Sequence, residues 1–312
     1  ELKDLKTFDD FYSAVLKQWE NLIEMTIDVS LQYEKYLSFI NPSNMYSATI
    51  EGALKKGIDA YQSGVKFNNS CVMNCGFASL VDAVMAVKEF VYDKKTVTLE
   101  TLAKALAGNW KGFENLHTQI VKSPHKYGND DEETNRYTEA MSAYFASKIN
   151  NRPNARGGVY KAIMHTAMQF VWEGEKTGAT PDGRYAGDEI SKNGSPSIGM
   201  DREGVTALIK SALKAHPYTY CESFCLDVML HPSAVSGDEG LEIMKSLLFM
   251  YMKNGGQTLQ INVFNTKTLR DAQKHPEKYQ NLQVRVCGWN VLWNNLTEKE
   301  QNAYITRAEN IR

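Results

Sequence analysis

Gly288 lies in the string VRVCGWNVLWNNL, where it closes an alternating apolar run and precedes Trp289. A glycine in that place marks first of all a bend, or a close approach of another backbone. It has a second capacity. Its α-carbon carries two hydrogens and no side chain, so loss of one leaves a radical that is free to flatten and to delocalise over both adjoining peptide groups. Any side chain would hinder that planarity.

The thiols come next. Cys71 and Cys75 are four apart, as are Cys221 and Cys225. On a helix each pair shares a face, and four thiolates suit zinc or an iron–sulfur cluster. Buried free thiols are the plainer alternative. Arg184, in PDGR, offers a planar fork of donors to an anionic group. Tying its long loop to backbone carbonyls, Asp182 or Asp188 is the more ordinary role and the one expected here. Asn129 and Asp130 read as turn and cap residues. Other familiar signatures are missing: there is no G-x-G-x-x-G, no P-loop and no H-E-x-x-H. SPSIG has Ser195 where a hydrolase nucleophile turn needs glycine. His216, His231 and His275 each precede proline and read as structural.

These residues sit on elements that the pattern of the chain predicts. Leu80, Val81, Val84, Met85, Val87 and Val91 recur at helical spacing after Gly76, and Thr98 is placed to cap a helix over Leu99, Leu102 and Leu106 that ends near Gly108. KYGNDDEETN is too polar for a core element and reads as a loop before the next helix. From Thr177 to Gly204 the density of Gly and Pro predicts a long ordered loop. A stripe of Leu241, Met244, Leu247, Leu248 and Tyr251 then stops at Asn254, Gly255 and Gly256, and Leu259, Ile261 and Val263 alternate as a strand. The unit repeats in kind, with a helix up to Pro276 and a strand over Leu282, Val284 and Val286 that runs into Gly288. Thr297 and Glu300 form a capping box for a last helix. The fold class is α/β.

Composition narrows the function. The 312 residues are 43% hydrophobic and 23% charged, which suits a globular chain. With 35 basic against 37 acidic residues, nothing attracts a phosphate backbone, so nucleic acid is not an expected partner. No apolar run reaches membrane-spanning length, and ELKDLKTFDDFY carries no signal-peptide stretch. The chain is expected to be cytoplasmic, with reduced thiols. Its first residue is Glu1 rather than Met, which raises an excerpt of a longer protein.

LQVRVCGWNVLWNNLTEKEQNAYITRAE resembles the C-terminal segment of the glycyl radical enzymes of the pyruvate formate-lyase-like family, and Gly288 matches the radical glycine. GATPDGRYAG resembles the family's Thr-Pro-Asp-Gly-Arg loop, NGGQTLQINVFN its Gly-Gly-x-Gln strand entry, and KYGNDD and DAQKHPEKY fit in order. The departures are Cys287 and Trp289 beside the glycine and Asn135 after KYGNDD. Anaerobic ribonucleotide reductases are similar at Arg-Val-Cys-Gly, but no cysteine follows Gly288 here.

The resemblance implies the C-terminal half of a ten-stranded α/β barrel with Gly288 on a buried loop, shielded by Val284, Val286, Trp289, Val291 and Trp293. Residues 1–176 would be the mainly helical end of the pyruvate formate-lyase-like domain and 177–312 the glycyl radical domain. It implies no bound cofactor. A separate activating enzyme using S-adenosylmethionine and an iron–sulfur cluster would install the radical. The thiyl cysteine matches none of the five here, which places it upstream of Glu1. A homodimer acting on a small metabolite by C–C or C–heteroatom cleavage is the expectation. The alternative is a non-catalytic radical-domain protein that serves or repairs another polypeptide.

Overall fold

The computed structural model describes residues 2–286 and 289–309. Thr7 opens helix α1 (Phe8–Ile40) through a capping box with Asp10, whose carboxylate accepts the Thr7 N–H at 2.9 Å. Two short helices, α2 (Asn44–Ala48) and α3 (Glu51–Lys56), lead to strand β1 (Ser70–Met73). Gly76, with φ of +80°, turns the chain into α4 (Phe77–Val87). The Thr98 side chain accepts from Thr101 N–H and caps α5 (Leu99–Ala107), which stops at Gly108 as its sequence predicts. After α6 (Glu114–Lys122) comes α7 (Glu132–Ile149).

Strand β2 (Tyr160–Ile163) and helix α8 (Gln169–Lys176) follow, and the predicted loop then runs without helix or strand to α9 (Gly204–Lys214). Strand β3 (Cys225–Leu230), α10 (Gly237–Lys253) and β4 (Thr258–Val263) come next. The chain continues as α11 (Thr266–Lys274), β5 (Gln283–Val286), β6 (Trp289–Leu292) and α12 (Glu298–Glu309). Thr297 and Glu300 make the expected capping box, with the Glu300 carboxylate accepting Thr297 N–H at 2.7 Å.

β1 pairs with β2 and β3 with β4, both parallel, and a bridge from Met164 to Phe224 joins the two pairs. Four parallel strands thus run side by side in chain order with helices between them, an α/β arrangement. One face carries Val72, Tyr160, Ala162, Met164, Leu226 and Val228, which pack with Val81, Val84, Met141, Phe145 and Ile209 of α4, α7 and α9 into the main core. The opposite face, called the inner face below, presents Cys71 and Met73 of β1, Lys161 and Ile163 of β2, Asp227 and Met229 of β3, and Gln260 and Asn262 of β4.

A smaller core forms at the C-terminal end from Leu269, Ala272, Val284, Trp293, Ile305 and Ala308. It binds the antiparallel β5–β6 pair to α11 and α12. Among the described residues no helix is long and apolar enough to cross a membrane.

The stripe on α10 differs from its expectation. Tyr251 is buried, but Leu241 and Leu248 face solvent, together with Phe249 and Met252. On α1, Leu22, Met25, Val29, Tyr33 and Tyr36 are likewise exposed.

Candidate functional site

Gly288 itself lies outside the described residues, as does Cys287. The strands on either side are described: Val286 is opposite Trp289, Arg285 opposite Asn290 and Val284 opposite Val291. The Arg285 backbone reaches β4, since its N–H donates to Asn262 Oδ1 at 3.0 Å and its carbonyl accepts from Asn262 Nδ2 at 3.3 Å. The Trp289 ring lies 6.1 Å from that of His165, just beyond β2. Residues before and after Gly288 therefore approach the inner face at Asn262 of β4 and at His165, just past β2.

That face is polar and buried at its centre. Asp227 takes a 2.9 Å contact from Lys192 Nζ, a 2.7 Å bond from Asn193 Nδ2 and a longer one from Ser195 Oγ. Beside it, Gln260 Nε2 donates to Cys225 Sγ at 2.7 Å, while Gln260 Oε1 is buried without a hydrogen-bond partner. On β4 the polar Gln260 and Asn262 are more buried than Leu259 and Ile261. A cavity of about 340 Å³ opens between this face and the loop, lined among others by Pro196, Arg202, Asp227, Met229 and Asn262.

Of the four described cysteines, Cys71 and Cys225 are on this face, and neither pair lies on a helix. Cys71 is on β1 and Cys225 on β3, while Cys75 follows the end of β1 and Cys221 lies in the turn before β3. The bridge between Met164 and Phe224 aligns His165 with Cys225, so the whole of β2 separates Cys71 from Cys225. Two strand spacings are roughly 9.5 Å, beyond the reach of a disulfide. Burial pushes the Cys75 thiol up to about 12 and raises that of Cys71, so both keep their protons at neutral pH. Among the described residues, no three His, Cys, Asp or Glu converge in a way that could hold a metal ion.

Arg184 has the tying role. Its guanidinium donates to the carbonyls of Asp188 at 2.6 Å, Tyr185 at 3.0 Å and Thr177 at 3.2 Å, as well as to Gly178. Gly183 sits at φ +101°, where a β-carbon would fall 2.6 Å from Val121. Hence Asp-Gly-Arg needs its glycine. Gly-Gly-Gln has a comparable logic: a β-carbon on Gly256 would strike the Tyr251 ring, and Gln257 Oε1 accepts the Phe224 N–H at 2.9 Å.

KYGNDD is a loop but not a surface one. Lys126 and Tyr127 are fully buried, with Lys126 Nζ donating to the Asp182 carbonyl at 2.8 Å and Tyr127 Oη to the Gly194 carbonyl at 2.7 Å. Asn129 locks the loop to residues 200–203, because its Oδ1 accepts Arg202 N–H and its Nδ2 donates to Met200 C=O, each at 2.7 Å. The cap of α7 is Asp131, and Asp130 instead pairs with Lys210. Nothing in the local pattern signals these long-range links.

The shielding residues divide. Val284 and Trp293 are buried and Val291 is half-buried, but Trp289 is 63% exposed, since neither α11 nor α12 covers β6 at that position. This corrects the expectation that Trp289 closes the site.

Known proteins match along the whole chain. A family model described as pyruvate formate lyase-like covers residues 1–174, and one described as glycine radical covers residues 190–294. The trans-4-hydroxy-L-proline dehydratase of Clostridioides difficile is 30% identical over 98% of this chain and 39% of its own length. The isethionate sulfite-lyase of Bilophila wadsworthia is 28% identical over 99% of this chain and 38% of its own. The B12-independent glycerol dehydratase from Clostridium butyricum, solved with glycerol bound, superposes with a TM-score of 0.92 at 31% identity, over 98% of this chain and 39% of its own. The chain thus spans about two-fifths of the length of these relatives.

Proposed function

This chain belongs to the pyruvate formate lyase-like family, and on that premise we propose that it is the C-terminal portion of a glycyl radical enzyme whose radical resides on Gly288. The observation that carries the reading is the attachment of the strands flanking Gly288 to the inner face of the parallel sheet at Asn262 and His165. Residues 1–176 then supply one part of the α/β wall, and residues 177–312 form the radical domain.

In this reading an activating enzyme with S-adenosylmethionine and an iron–sulfur cluster removes one hydrogen atom from the Gly288 α-carbon. The glycyl radical later takes a hydrogen atom from a cysteine thiol in the upstream part of the enzyme. That restores the glycine and leaves a thiyl radical, which abstracts hydrogen from a small metabolite. The named relatives include dehydratases, a decarboxylase subunit and a sulfite-lyase, so the reaction is breakage of a C–C or C–heteroatom bond. A cytoplasmic homodimer is part of the reading.

The test is electron paramagnetic resonance on the complete enzyme after anaerobic activation. A glycine-centred signal is expected, and Gly288→Ala should lack it. An unchanged signal in that variant defeats the assignment.

A further inference from the structure

Asn262 is 6% exposed and lies on β4 in register with Met229 of β3. Its side-chain amide makes two bonds to one backbone unit, accepting from Arg285 N–H and donating to Arg285 C=O. A neighbouring strand would ordinarily supply such a pair of bonds. Among the described strand pairings, β5 pairs with β6 and not with β4. A side chain therefore does the work of a ladder. Tyr304 Oη, from α12, donates to the same Arg285 carbonyl at 3.0 Å.

Arg285 is three positions before Gly288 and opposite Asn290, one pair away from Val286 and Trp289. Fixing both backbone groups of Arg285 sets the height and rotation of the β5–β6 pair over the inner face. A buried amide with four-centre geometry resists exchange for water, because release leaves its donor and acceptor unmet until the site opens.

We propose that Asn262 is the positioning residue that holds strands β5 and β6, which flank Gly288 in the chain, against the inner face of β4. The proposal rests on the reading of Gly288 as the radical site. Holding the segment down shelters the radical from oxygen, so the lifetime of the radical in air reports the role without any substrate.

The experiment uses the complete enzyme, activated anaerobically and then exposed to air while the glycine-centred signal is followed. Asn262→Ala should form the signal with unchanged line shape and lose it in air about tenfold faster, as the loss of two buried hydrogen bonds implies. Asn262→Asp keeps the acceptor and loses the donor, so it should fall between. Amide exchange of residues 283–292 should quicken in the same order. Tyr304→Phe removes the other bond to Arg285 from a more exposed helix and carries the comparison should Asn262→Ala not fold.

Equal lifetimes in the unaltered enzyme and the variants overturn the proposal. So does a folded Asn262→Ala that forms no signal, because the amide would then serve formation of the radical and not its shelter. Absence of a glycine signal in the unaltered enzyme defeats instead the reading of Gly288.

Discussion

Lys192 Nζ lies 2.9 Å from the Asp227 carboxylate with 7% and 3% of the two side chains exposed. The pair ties the loop after α8 to the inner face of β3. Its energetic sign is asymmetric: a buried pair adds little over an apolar pair of the same shape, but one partner without the other is costly. Lys192→Met and Asp227→Leu should each destabilise the chain by about 3–5 kcal/mol. The double variant should recover the part of that loss due to the unpaired charge, while the bonds from Asn193 and Ser195 stay lost, and urea unfolding of all four proteins gives the coupling.

Asp82 is fully buried on α4, where its Oδ1 accepts the Tyr127 N–H at 2.7 Å and its Oδ2 has no hydrogen-bond partner. Burial pushes its carboxyl up from 3.8 to about 7, against the opposing pull of Lys126 and of the Tyr127 N–H. The folded state therefore binds this proton more tightly than the unfolded state. Its contribution to stability is full below the ordinary carboxylate range and is lost as pH rises toward 7. Unfolding free energy should fall across that window by on the order of 4 kcal/mol from this group alone. Asp82→Asn should flatten the slope, as denaturant titrations at several pH values would reveal.

Trp293 and Trp289 provide a direct contrast. Trp293 is fully buried against Leu269, Ile305 and Val284, whereas Trp289 is largely in solvent. Trp293→Ala should cost about 3–5 kcal/mol in thermal or denaturant unfolding. Trp289→Ala should stay within about 0.5 kcal/mol. Equal costs would mean that β6 is covered at Trp289.

Oxygen gives a chemical address for the radical. A radical at the Gly288 α-carbon adds molecular oxygen there, and the peroxyl product fragments the chain. Activated enzyme exposed to air should release a short piece beginning near Trp289, seen by mass spectrometry, while unactivated enzyme stays intact. Cleavage at Gly204 or Gly256 would move the radical elsewhere.

What the sequence determined by itself is local. The Thr98 and Thr297 caps, the stop at Gly108 and the alternation over Leu259–Val263 each depend on neighbours within a turn or a strand, and all appear as read. The radical reading of Gly288 likewise needs only the lack of a side chain and the resemblance of its surroundings. For the thiols, a spacing of four reads as a helix on which each pair shares a face, with buried free thiols as the alternative. The fold places one cysteine of each pair on a strand and the other just outside it.

Burial was decided by the tertiary structure, because it depends on what arrives from far along the chain. Polarity would have put Gln260, Asn262 and Lys126 in solvent and Trp289 inside. Cys225 meets Gln260, the Arg285 backbone reaches Asn262, the Asp182 carbonyl reaches Lys126, and among the described residues no helix covers Trp289, so each is reversed. A buried polar group is stable only with its partner present, and those partners lie 23 residues away for Asn262 and 56 for Lys126. Local pattern carries no trace of such pairings.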